Sequence, residues 1–115
     1  MNEIERTQES AKNQVYSYVK QETVATPALQ YAVKEPTLKT TLCANGSLSV
    51  EQVNTALRAL GEQDKIQYGS GWIVPVVDQQ YHKDAIAWLA DRDDPPRELI
   101  GMMNKALQTH DWGAE

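Results

Sequence analysis

A chain of 115 residues, 41% hydrophobic and 23% charged, is long enough to bury a core and too apolar to stay disordered. Its formal net charge of −5 weighs against a protein that lives by neutralising phosphates, and a single cysteine excludes an internal disulfide. No apolar run approaches the roughly 20 residues of a membrane helix, and two histidines with one cysteine make a structural zinc site unexpected. The charge is unevenly spread. Through Pro75 there are seven basic and eight acidic residues, and after it four basic and eight acidic. The opening, MNEIERTQES, is charged and polar and has no signal-peptide apolar core, so an intracellular, cytoplasmic protein is expected.

In chain order, residues 2–22 read as a helix with Ile4, Ala11, Val15, Tyr18 and Val19 on one stripe. Its first half is polar and is expected to fray or to pack on a partner chain. Thr23-Val24-Ala25 is β-branched and short, as a strand would be. Thr26 can cap a further helix with Pro27 at its first position and Leu29, Ala32 and Val33 inside. Pro36 is expected to stop it. Residues 37–44 form another short helix in this reading, with Leu38 and Leu42 inside and Asn45-Gly46 as its end. One kinked helix over 27–44 is the alternative.

Ser49 opens the clearest helix. Its hydroxyl can cap the first turn, and Gln52 completes a capping box. Val50, Val53, Ala56, Leu57 and Leu60 share one face of this helix, which runs to about Gln63. Glu51, Gln52, Asn54, Thr55 and Arg58 lie on the other. Ile66 to Val74 follow as a β-hairpin, with Gly69-Ser70-Gly71 supplying the positive φ of its turn and Pro75 limiting further pairing. Trp72 and Val74 should face one side of that hairpin and Ile73 the other. Two more helices close the chain. The first covers 78–91, with Tyr81, Ala85, Trp88 and Leu89 in register. The second is capped by Asp94, begins at Pro95-Pro96, and carries Leu99, Met102, Met103, Ala106 and Leu107. Residues 109–115 are expected to be a loose end. The fold class is therefore mainly α with a small β-hairpin, α+β.

The pattern S-x-x-x-V-x-x-A-L-x-x-L from Ser49 to Leu60, then K-I and YGSGWIV, resembles the second half of a winged helix-turn-helix domain. There a recognition helix is followed at once by a two-stranded wing. The resemblance covers residues 37–77. It implies one domain with its core at about 11–77 and a helical extension over 78–110. Thr23-Val24-Ala25 would be the lone strand that pairs with the wing, and 37–44 the positioning helix. The helix over 26–35 would be an insertion. The function implied is a small transcriptional regulator that binds double-stranded DNA. Gln52, Asn54, Thr55 and Arg58 would face the major groove, where Arg reads guanine and Asn or Gln reads adenine. Lys39, Lys65 and the wing residues Gln67, Tyr68 and Ser70 would meet the backbone or the minor groove. A homodimer through the N- and C-terminal helices would read two half-sites. Winged helices also bind proteins, so an adaptor or an acidic inhibitor without DNA binding is the alternative.

Catalysis is not expected, nor is a cofactor. His82 and Asp84 are two apart on a helix and point to different faces. Cys43 lies beside an apolar stripe, where a thiol is usually inert. Asp91, Asp93 and Asp94 suit a solvated turn. Gly69-Ser70-Gly71 is followed by a strand and not by the helix a phosphate loop needs.

Overall fold

The computed structural model describes residues 3–23, 30–44, 48–110 and 112, with the side chains of 3–8 outside that description. Five helices and a three-stranded antiparallel sheet form in the order α1 (Glu3–Thr23), β1 (Val33–Lys34), α2 (Glu35–Ala44), α3 (Val50–Glu62), β2 (Ile66–Gly69), β3 (Trp72–Pro75), α4 (Gln79–Ala90) and α5 (Arg97–Thr109). The strand order is β1-β3-β2, so β3 is paired on both edges. This arrangement is compatible with a winged-helix layout. α1 buries Ala11, Val15 and Val19, as its period predicts, and ends where the Thr23 hydroxyl donates back to the Val19 carbonyl at 2.7 Å.

The region before α2 differs from expectation. Thr23 is the last residue of α1, not the start of a strand, while Val24 and Ala25 lie outside the described residues. The edge strand is Val33–Lys34, where a helix over 26–35 was expected. Residues 26–29 of that helix are also outside the description. Burial shows why the helical reading fails. Ala32 and Val33 are adjacent yet belong to different cores, which is the two-residue alternation of a strand. The single kinked helix over 27–44 fails for the same reason. Pro36 does not stop a helix. It sits in the first turn of α2, where its missing N–H is no loss. The Glu35 amide donates to the Gly71 carbonyl at 2.8 Å, tying the start of α2 to the tip of the hairpin.

α3 is capped as expected. The Gln52 amide donates to Ser49 Oγ at 3.1 Å, and the Ser49 amide to Gln52 Oε1 at 2.8 Å. Val53, Ala56, Leu57 and Leu60 are buried, but Val50 is 53% exposed, because the first residue of the helix precedes the turn that packs. The helix ends in a Schellman motif that the sequence reading missed. Asp64, at φ 58, donates to the Gly61 carbonyl, and the Lys65 amide to that of Leu60. The hairpin turn is Ser70-Gly71, at φ 52 and 85, so a serine carries one of the two positive φ values. Gly71→Ala should lower stability by about 1–2 kcal/mol, the usual cost of a left-handed L-residue. Nothing stands within 4 Å of the added Cβ, so the loss is backbone strain alone. An unchanged urea midpoint would contradict this.

The sheet has a core on each face. Val33, Ile66 and Ile73 join α1, α2 and α3 on the inner face, with Tyr68 packed beside them. Ala32, Val74 and the half-buried Trp72 meet Ala85, Leu89, Leu99 and Met103 of α4 and α5 on the outer face. The expected separation of Trp72 and Val74 from Ile73 holds. α4 is capped by Asp78, which accepts from the Tyr81 amide at 2.7 Å. α5 starts later than expected, at Arg97, with Pro96 and not Asp94 at its N-cap. Pro95 precedes a proline, and that position disfavours helical backbone. Met102, expected inside, is 42% exposed.

Candidate nucleic-acid interface

Because the inner core takes Val53, Ala56, Leu57 and Leu60, the opposite face of α3 is left to solvent. Glu51, Asn54, Thr55 and Arg58 are all exposed there, spaced so that successive residues stack along one side. α4 and α5 cover the far side of the sheet and leave this face bare. Arg58 makes no ion pair among the described residues. Glu51 lies seven residues before it and Glu62 four after, so one cation stands between two carboxylates.

The other candidate residues are dispersed. Gln52 is half-buried with its Oε1 held by the cap, leaving its amide nitrogen free of that bond. Lys39 pairs with Glu35 of its own helix at 3.2 Å. The Lys65 ammonium lies 5.6 Å from the centre of the Tyr16 ring, on the α1 side. Tyr68 points inward, its ring against Gly61, where a built Cβ would come to 3.0 Å. Gln67 points the other way. Its Nε2 donates to the Met102 carbonyl at 3.3 Å and its Oε1 meets His82 Nε2, so it joins β2 to α4 and α5. Ser70 is exposed at the hairpin tip. Asn54, Thr55 and Arg58 are therefore brought together, whereas Gln67 and Tyr68 serve the two cores.

Strand alternation should have signalled that last point. Ile66 is buried inward, so Tyr68 follows it and Gln67 must oppose them. The sequence reading weighed His82 only against Asp84 and missed its burial: it is fully buried, with its Nδ1 lacking a hydrogen-bond partner among the described residues. Its signal was weak, since the helical stripe of α4 was carried by Tyr81, Ala85, Trp88 and Leu89.

Chemistry elsewhere is sparse. Asp84 accepts from Gln80 at 3.0 Å and does not orient His82. Cys43 is half-buried. Among the described residues no group of three or more His, Cys, Asp or Glu could hold a metal ion, and no helix is long and apolar enough to cross a membrane. Compared with family models, curated proteins and solved structures, the chain matches none.

Proposed function

We propose that the protein is a winged-helix DNA-binding module, with α3 entering the major groove of double-stranded DNA. The observation that carries this reading is the bare polar face of α3. Asn54, Thr55 and Arg58 are donors and acceptors suited to base edges, held on a rigid, doubly capped helix. The β2-β3 hairpin directly after α3, with β1 paired on its β3 edge, supports it, since that layout presents the helix and hairpin together.

Arg58 is the cation on which affinity turns. Arg58→Ala should weaken binding by about 1–3 kcal/mol and relax preference at one base position if the guanidinium reads a base. If it meets a phosphate, all sequences should weaken alike and the salt slope should fall by about one. Position 58 lies off the buried stripe, so the fold should be unaffected. Fluorescence anisotropy against genomic fragments at two salt concentrations checks both. No salt-sensitive binding by the parent, or equal binding by the folded variant, would end the DNA reading.

A second reading is favoured by one observation, the acidity around that same face. Glu51 and Glu62 flank Arg58, and Val50 is exposed at the helix start. A surface with carboxylates and an apolar point suits a basic protein partner better than phosphate. Recovery of one stoichiometric protein from the host, with Val50→Ser abolishing capture and no DNA recovered, is its expected result.

A further inference from the structure

A cleft of about 200 Å³ opens where the two layers meet beside the sheet. Tyr18 and Glu22 of α1, Lys34 of β1, Trp72 of β3, Trp88 of α4 and Arg92 just after it contribute to its lining. We propose that this cleft binds a small planar aromatic carboxylate. The site is independent of α3 and of the DNA reading.

Two indoles form one wall beside Tyr18. The indoles of Trp72 and Trp88 meet edge to face, 5.6 Å apart at 87°. Two cations are held on them. The Arg92 guanidinium lies 4.5 Å from the Trp88 centroid and 5.6 Å from that of Trp72, and the Lys34 ammonium lies 5.5 Å from Trp72. Ring quadrupoles orient cations but do not neutralise them. Neither Lys34 nor Arg92 makes an ion pair among the described residues. Glu22 is the single carboxylate among the described lining residues, against the two cations Lys34 and Arg92, so this lining carries one positive charge in excess.

The ligand class follows from this balance. A further cation would meet two like charges, whereas an anion neutralises the excess. A guanidinium matches a carboxylate through paired N–H donors, and its flat face and the indoles suit a flat ring. The volume lies below the roughly 300–1,000 Å³ of drug-sized sites, which limits the ligand to about one ring system.

The probe is sodium benzoate, titrated into the full chain and read by the indole N–H signals in nitrogen–proton NMR spectra. Benzamide and benzylamine serve as its neutral and cationic counterparts. The expected result is a saturable shift of the Trp72 and Trp88 signals with Trp112 unmoved, at millimolar affinity. Benzamide and benzylamine should bind at least about tenfold more weakly, the scale of a lost charge-assisted pair. Arg92→Ala should weaken benzoate by about tenfold or more, with Arg92→Lys intermediate because it keeps the charge and loses the fork. Arg92 is exposed, so the variant should fold. Should its melting curve differ from the parent's, Lys34→Gln takes its place, with a severalfold loss expected. The absence of saturable benzoate shifts, preference for benzylamine, or unchanged benzoate affinity in the folded variants would each overturn the proposal.

Discussion

Leu57→Ala is expected to lower stability by about 2–5 kcal/mol, a large share of the 5–15 kcal/mol typical of a domain this size. Leu57 is 2% exposed and sits in the inner core with Val15, Val19, Leu60, Ile66 and Ile73. The cost depends on whether neighbours can collapse into the space. Ile73 cannot follow, because β3 is hydrogen-bonded on both edges. Val15 and Val19 are β-branched on a helix, with one strongly preferred rotamer each. A cavity should therefore persist, placing the loss in the upper half of the range. The melting temperature should fall by roughly 10–20 °C. A thermal melt superimposable on the parent's would show that α3 does not pack through this face. The same substitution at exposed Val50 should change little, since that side chain is already half in water.

Acid should destabilise the fold through His82. Gln67 fixes its tautomer. The Gln67 Nε2 donates to the Met102 carbonyl, which turns Oε1 toward His82 and makes His82 Nε2 the donor. The Nδ1 is then buried without a hydrogen-bond partner among the described residues, and the imidazole lies 5.1 Å, centre to centre, from the Trp112 ring. A proton there would be a buried N–H with no acceptor among the described residues. Burial, and secondarily the charge of His110, push the imidazole down from its usual 6.5 to about 4. The unfolded chain takes up this proton near pH 6.5, whereas the folded chain resists until about pH 4. Stability should thus fall as pH drops through that window, by on the order of 2–3 kcal/mol, and this contribution should level off below it. Carboxylates titrate in the same region, so the test is a difference. His82→Leu should be less stable at pH 7, where it leaves Gln67 Oε1 without its partner, yet should lose less on going to pH 4. Urea titrations of both proteins at pH 7, 5.5 and 4 provide the comparison. Parallel losses in parent and variant would mean that His82 is not the group responsible.

Much of the local structure is written in neighbouring residues. Ser49 and Gln52 specify the start of α3, because a capping box needs only four consecutive positions. Asp78 does the same for α4. The stripes Ala11-Val15-Val19, Val53-Ala56-Leu57-Leu60 and Leu99-Met103 declare their buried faces through the 3.6-residue period. Ser70-Gly71 declares a turn, and alternation separates Trp72 and Val74 from Ile73. The exposed trio Asn54, Thr55 and Arg58 is legible for the same reason, as the complement of a buried stripe.

What those patterns leave open is which face meets which. Val33–Lys34 is a strand because β3, nearly forty residues later, supplies its hydrogen-bond partners. Local propensity around Ala32 and Val33 fits a helix equally well, so only that distant pairing decides. The place of α4 and α5 is decided the same way. Their stripes require a partner but do not name one, and the outer face of the sheet, with Ala32, Trp72 and Val74, provides it. That cover draws Gln67 inward onto His82 and Met102 and takes it away from any wing surface. It also brings Arg92 onto Trp72, twenty residues before it, and so builds the aromatic cleft. Sequence alone thus determined α1, α3 with its N-cap, the β2–β3 hairpin, α4 and the main buried stripes, since these depend on residues within a turn or two. Tertiary structure alone decided the edge strand, the covered face of the sheet and the joining of distant cations and indoles. Those depend on long-range pairing, in which the burial of one surface selects the partner of another.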